Sequence, residues 1–384
     1  MVHPPFPFPH PIHVFSLPPQ GKLGRRLRRR WIAVPRTEGA YYTYTGVIHC
    51  HSHYSDGTGS VQEILRAAHK CRLDYVIITD HNTLLPREVL GEGWYGNVLL
   101  LFGQEISPEK NHYLALDLKK AVPPQADPQS YIKAVKEQGG IGFIAHPADR
   151  GNSFFQIPPY PWADYAVAGF DGIEIWNYFS DLGAEMTSWF RCLAGYFFPL
   201  FLLKGPSPQT LAWWDQVNQK GHVAAIGGLD AHGIRISLAG FSLVLFPYHQ
   251  LFRTLRTYVL TRTPWQRKPG DRELLLASLK RGNSYLALNL LGEARDFSFI
   301  AQTGEGIFLM GDEISGSRDV LLRIKVPATA LVRLIYNGRP YREKYCRGME
   351  IPVAGKGIYR IEVYRVKAGT RLYPWIFSNP IYIR

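Results

Sequence analysis

Between Thr45 and Pro247 the chain alternates short apolar runs with stretches of helical pattern. The runs are GVIH (46–49), DYVIIT (74–79), NVLLLF (97–102), HYLALDL (112–118), IGFIAH (141–146), GIEIWN (172–177), HVAAIGG (222–228) and SLVLF (242–246), and they read as strands. Between the first two lies SVQEILRAAHKCRL, where Ser60 and Glu63 have the spacing of a capping box. Asp127 followed by Pro128 starts another helix, and Gly139-Gly140 ends it. Strands interleaved with helices predict an α/β fold with a largely parallel sheet, open or closed into a barrel. After about residue 270 the texture changes. One helical stretch, RELLLASLKRG, leads into the alternating segments DVLLRIKV, ALVRLIYNG and GIYRIEVYRV, the pattern of an antiparallel β domain. The expected organisation is an irregular basic extension over 1–40, an α/β unit over 41–270 with a helical insertion at about 181–218, and a smaller all-β, sandwich-like domain over 271–384. The insertion's aromatics (Trp189, Tyr196, Phe197, Phe198, Trp213, Trp214) are read as core.

Composition narrows the class without naming a substrate. With 46% hydrophobic and 20% charged residues, the 384-residue chain fits a globular protein with a sizeable core. A formal charge of +13 favours an acidic partner: a phosphorylated substrate, a nucleic acid or an anionic membrane surface. Cys50, Cys71, Cys192 and Cys346 are far apart and form no C-x-x-C pair, which excludes a zinc ribbon or a disulfide framework and points to a reducing, cytoplasmic compartment. The proline-rich start MVHPPFPFPHPIHVFSLPPQ does not resemble a secretory signal. CLAGYFFPLFLL (192–203) is too short to cross a bilayer, so no transmembrane segment is expected. That stretch, with the arm GRRLRRRW, raises peripheral membrane contact as a further partner class; a helical insertion beside the barrel is the reading preferred.

The chemistry lies at the ends of the apolar runs. His49 and His51 close GVI, Asp80 and His81 follow YVIIT, Glu105 follows VLLLFGQ, His146 follows IGFIA, and Asp230 and His232 follow VAAIGGL. In parallel β/α architectures the C-terminal strand ends form the active face, so distant segments deliver imidazole and carboxylate to one rim. Taken singly, His81 reads as a turn histidine and Asp230 as a helix cap; the joint pattern reads as a metal site. His53 shares the parity of His49 and His51 but is placed in an exposed loop. Nitrogen and oxygen donors without thiolate suit Zn, Mn or Fe. They exceed the needs of one ion, so two or three divalent metals are implied.

The ordered set H-x-H-S-x-x-S-D-G, T-D-H-N, a glutamate followed by a histidine, A-H-P and G-x-D-A-H resembles the polymerase and histidinol phosphatase (PHP) family over about residues 45–250. The resemblance implies a distorted (β/α)7 barrel with a trinuclear metal site, and the C-terminal segments resemble the β appendage of some members. It also implies a ligand set. His49, His51 and Asp230 would bind a first metal. Glu105 would bridge it to a second held by His112 and His146. Asp56, His81 and His232 would bind a third. Asp56 stands where some members carry histidine, closer to the nucleotide and oligonucleotide phosphoesterase branch. Three dications against three carboxylates and a hydroxide leave about +2, which attracts a phosphate anion. The implied activity is metal-dependent hydrolysis of phosphate esters by a metal-bridging hydroxide held by Glu105, with His232 or a bound water protonating the leaving group. Nucleotides, oligonucleotides and small phosphorylated metabolites are the substrate classes. Arg150, after His146-Pro147, is a candidate phosphate contact, and Arg235 a weaker one. The rival readings are a binding module with a non-catalytic barrel and a metallohydrolase acting on C–N or C–O bonds.

Overall fold

The computed structural model describes residues 41–238, 241–315, 319–367 and 369–384; the basic extension lies outside the described residues. Seven strands form a ring: β1 (Tyr42–Val47), β2 (Tyr75–Ile78), β3 (Val98–Ile106), β4 (Tyr113–Leu116), β5 (Ile141–Ile144), β6 (Gly172–Asn177) and β7 (Ala224–Gly228). Neighbours pair parallel from β1 to β3 and from β5 to β7, whereas β4 runs antiparallel to both β3 and β5. The ring closes just beyond β7, where Leu229 N–H donates to the Ile48 carbonyl (3.0 Å) and His51 N–H to the Ala231 carbonyl (2.9 Å). The fold is the distorted (β/α)7 barrel that the resemblance implies. Its reversed strand has a simple cause. Only residues 107–112 join β3 to β4, and a parallel return needs a crossover of about a dozen residues or more.

Local signals hold where they were strong. Helix α1 (Val61–Cys71) begins with a complete capping box: the Ser60 hydroxyl accepts from Glu63 N–H (3.3 Å) and the Glu63 carboxylate from Ser60 N–H (2.8 Å). Its buried positions Val61, Ile64, Leu65 and Ala68 fall on one face, which packs outside the barrel. Helix α2 (Pro128–Glu137) is capped by the Asp127 carboxylate. Strand parity then separates two apolar layers. Leu99 and Leu101 of β3, Leu114 of β4, Phe143 of β5 and Ile226 of β7 join one buried cluster, while Leu100, Phe102, Ile144 and Ile173 join the layer that includes the outer helices. Glu105 shares the parity of Leu99 and Leu101, so the face that fills the barrel carries a carboxylate at its top.

The run SLVLF does not join the ring. It forms Phe241–Leu245, which pairs antiparallel with Ile234–Leu238 as a separate hairpin. Beyond it, β8 (Leu255–Thr261) runs antiparallel to β1 and to β9 (Ser284–Leu288). The C-terminal region is antiparallel apart from a short parallel pairing of Glu313–Ile314 with Ile381–Ile383, and is built on β10 (Val320–Tyr336), β11 (Gly357–Val366) and β12 (Leu372–Ser378). DVLLRIKV and ALVRLIYNG are one strand with a register shift between Lys325 and Ala330. β9 also pairs with β12, so hydrogen bonding continues from the barrel edge into these strands.

Between β6 and β7 the chain forms a short helix at Tyr178–Gly183, then α3 (Trp189–Phe197), a 3-10 turn at Pro199–Phe201 and α4 (Pro208–Lys220). Trp213 and Trp214 are buried as expected, but Trp189, Phe197 and Phe198 are exposed and Tyr196 is half-buried, which corrects the core reading of that segment. α3 turns its buried residue, Gly195, toward Met186 and Leu202, and its aromatics outward. Among the described residues no helix is long and apolar enough to cross a membrane.

Candidate metal centre

Each strand end of the barrel's upper rim supplies a side chain, and all nine residues marked in the sequence converge there. They fall into three groups whose donor atoms lie within 4.8 Å of one another: His49, His51, Glu105 and Asp230; Glu105, His112 and His146; and His51, Asp56, His81 and His232. Glu105 is the hub. Its Oε2 lies 3.2 Å from His49 Nε2, 3.3 Å from His51 Nε2 and 3.0 Å from His81 Nδ1. Its Oε1 lies 2.9 Å from His112 Nδ1 and 3.1 Å from His146 Nε2. Asp230 Oδ1 faces His49 and His51 at 3.3 and 3.2 Å, and Asp56 Oδ1 faces His232 Nε2 at 3.2 Å. His53 is exposed outside the cluster, and Cys50 turns into the hydrophobic core, as alternation requires.

The donor set fits divalent ions on an observation internal to the chain. His49 Nε2, both ring nitrogens of His51, Glu105 Oε2 and His146 Nδ1 are buried with no hydrogen-bond partner among the described residues. Buried polar groups are normally paired, and leaving one unpaired costs about 1–3 kcal/mol. Four of these five orphaned atoms, all but His146 Nδ1, point into the space between the imidazoles and carboxylates. Ions coordinated there would satisfy them.

A supporting layer fixes which nitrogens face inward. His49 Nδ1 donates to Glu174 Oε1 (2.8 Å), which leaves the Nε2 lone pair for the centre. His112 Nε2 donates to the Pro108 carbonyl (3.0 Å) and His232 Nδ1 to the Asp230 carbonyl (2.9 Å). Asp80 accepts from Ser52 N–H, the Ser52 hydroxyl and the Ser55 hydroxyl, each at 2.7 Å, and so holds the loop that carries Asp56. Glu174 is the functional residue that motif reading misses. Its Oε2 also accepts from His146 N–H (2.7 Å) and Asn177 Nδ2 (2.9 Å), linking two ligand-bearing strand ends. The signal lies in GIEIWN: Ile173 and Ile175 face the outer layer, so the intervening Glu174 must point into the barrel.

The backbone is bent to aim these groups. His49, Asp230 and His146 have φ values of 64°, 56° and 25°. Such conformations cost about 1–3 kcal/mol each and collect at functional sites. Gly228 is required by close approach: a Cβ there would lie 1.5 Å from Glu174 Oε1.

Charge coupling within the cluster is strong. Burial opposes charge on Glu105, but His49 and His81, with hydrogen bonds from His112 and His146, hold its carboxyl well below the ordinary range. Burial likewise works against His81 and His146, yet Glu105 and its neighbours push them up to about 10 and about 9. His51 goes the other way, down to about 3, through burial and the proximity of His232. A histidine raised on folding adds stability below its ordinary value of 6.5 and loses it as pH rises through the folded value. The melting temperature of chelator-treated protein should therefore fall between about pH 6.5 and pH 10. Added Mn or Zn should restore it most at the alkaline end, because ions compete with protons for imidazole. Thermal scans with and without metal check this; a metal-free profile flat across that range would contradict it.

A cleft of about 890 Å³ opens beside His146 and runs past Asn177 and Lys204 to Arg333, Arg360 and Tyr364 of the C-terminal strands. Arg150 also lines it and pairs with Glu185 (2.9 Å), leaving its guanidinium half exposed. Arg235 lies on the separate hairpin, exposed, with a 3.5 Å contact to the Thr58 carbonyl. Arg360 is buried and held by both oxygens of Asp215 at 2.7 Å, a structural tie between α4 and the C-terminal sheet.

Barrel and side chains together define an α/β barrel protein whose rim gathers His, Asp and Glu side chains in groups of candidate metal ligands. Residues 48–146 match the PHP domain, and an antiparallel β region follows the barrel. An uncharacterised protein of Methanocaldococcus jannaschii is 28% identical over 149 residues, covering 34% of this chain and 80% of that protein. Among solved structures, a two-domain protein from Bacteroides vulgatus, described as containing a predicted PHP-like metal-dependent phosphoesterase, is similar over 91% of this chain and 99% of its own, with 17% identity and a TM-score of 0.45. An amidohydrolase from Chromobacterium violaceum with bound sulfate and no metal is similar over 53% of this chain and 92% of its own, with 14% identity and a TM-score of 0.30.

Proposed function

We propose that this protein is a metal-dependent phosphoesterase in which His49, His51, Asp56, His81, Glu105, His112, His146, Asp230 and His232 hold two or three divalent ions. The carrying observation is Glu105, fully buried with imidazoles against both its oxygens. Such ions, when bound, lower the pKa of water to about 7 and neutralise phosphoryl oxygens. The chain's own residues do the rest. Glu174 keeps His49 in the tautomer whose Nε2 faces the centre. Asp80 fixes the loop that presents Asp56. Arg150 offers a guanidinium at the cleft, suited to a phosphate oxygen. Both ring nitrogens of His232 are engaged, one by the Asp230 carbonyl and one facing Asp56, which argues against it as proton donor to the leaving group.

The substrate class proposed is a phosphate ester whose alcohol portion occupies the cleft beside His146. Phosphate release should be measured on a panel of mononucleotides, nucleoside bisphosphates, short oligonucleotides and sugar phosphates, with amides and lactones in parallel. The expected outcome is metal-dependent release from at least one phosphate ester, with KM raised about tenfold or more in Arg150→Ala, as for loss of a charged hydrogen bond. Turnover of amides or lactones alone would overturn the phosphoesterase reading while keeping the metal centre.

A further inference from the structure

The insertion between β6 and β7 carries a surface that catalysis does not use. Trp189, Phe190, Leu193, Phe197, Phe198 and Phe201 are each between 60% and 75% exposed. They come from α3 and the short turn after it, and the patch extends to the loop after His146, where the Phe154 ring packs edge-on against Trp189 at 5.2 Å. Contiguous apolar exposure of this kind marks a site of interaction.

Its border says what it meets. Arg150, Arg191 and Lys204 converge on a single carboxylate, Glu185, at 2.9, 2.9 and 2.5 Å. Arg371 adds a fourth cation, donating to the Phe201 and Leu203 carbonyls. Two other acids nearby are turned to backbone N–H groups, Asp181 to those of Lys204 and Gly205 and Asp149 to those of Gly151 and Tyr160. Cations therefore outnumber exposed acids around an apolar face made of Trp, Phe and Leu, the composition of a surface that lies in a lipid interface. A protein partner of this area would normally require about one hydrogen bond per 100–200 Å², and the six projecting side chains offer only the Trp189 indole N–H.

We propose that this patch docks the protein on anionic lipid bilayers, as a peripheral contact with the aromatics in the headgroup–acyl boundary and the cations among the headgroups. The cleft beside His146 shares Arg150 and Lys204 with the border of the patch, so docking would set its mouth beside the lipid surface.

The test is flotation of the full chain with vesicles of phosphatidylcholine alone and of phosphatidylcholine containing a third phosphatidylglycerol. Binding is expected to the anionic vesicles, to weaken as salt is raised, and to fall at least about tenfold in the Phe190→Ser, Phe198→Ser double variant. Both positions are exposed, and an unchanged melting temperature checks that the variant is folded. Absence of flotation with either vesicle, or flotation unaffected by the double substitution, would overturn the proposal. So would sedimentation showing a dimer that the same substitutions dissociate, because the patch would then cover a second copy of this chain.

Discussion

Replacing Glu105 by glutamine should remove at least one bound metal and lower phosphate-ester hydrolysis by about a thousandfold or more. Glutamine keeps the volume but not the charge, and one of its two ends becomes an NH2 group. Whichever way it is turned, that NH2 faces either His112 and His146 or His49, His51 and His81. The one carboxylate that belongs to both donor groups would then be lost. Metal ions supply several kcal/mol of transition-state stabilisation, and each 1.36 kcal/mol is tenfold in rate, which sets the scale of the loss. The metal-free variant should also be less stable by about 3–5 kcal/mol, because the charged imidazoles lose their buried counterion. Metal analysis, steady-state rates and denaturant unfolding read the three consequences. A variant that kept full metal content and rate would show that Glu105 bridges nothing.

Glu174 belongs to none of the three donor groups, yet Glu174→Gln should weaken metal binding about 10–100-fold. The carboxylate accepts from His49 Nδ1 (2.8 Å) and from His146 N–H (2.7 Å). With glutamine kept on the His146 N–H by its oxygen, its NH2 turns toward His49 Nδ1. That favours the tautomer with the proton on Nε2, the atom needed in the centre. Gly228→Ala should produce the same defect by a different route, since its Cβ would displace the Glu174 carboxylate. Calorimetric titration of metal-free protein with Mn separates the outcomes. Unchanged affinity in Glu174→Gln would mean that the ring of His49 is oriented by packing alone.

The candidate site was legible for a physical reason: side chains that supply nitrogen and oxygen donors to metals are mostly His, Asp and Glu, and a parallel barrel puts them at strand ends, where short motifs stand out. Caps were equally legible because Ser60-x-x-Glu63 and Asp127-Pro128 act within one turn of helix. Glu174 was not, because a supporting carboxylate has no motif and sits alone in an apolar run; only strand parity betrays it. The reversed strand β4 was hidden because HYLALDL has the same apolar texture whichever way it runs, although the six-residue connection before it leaves no room for a crossover. SLVLF reads like a barrel strand, but its partner is the adjacent segment 234–238, a tertiary choice that composition does not encode. The α3 aromatics were assigned to the core on hydrophobicity alone, and that assignment fails when more apolar residues are available than the core can hold.

The most direct test of the central claim is the metal content of the purified protein by elemental analysis. Two to three equivalents of Zn, Mn or Fe per chain, lost in His49→Ala, is the predicted result. Protein that takes up no divalent metal, even when the ion is supplied in excess, would contradict it.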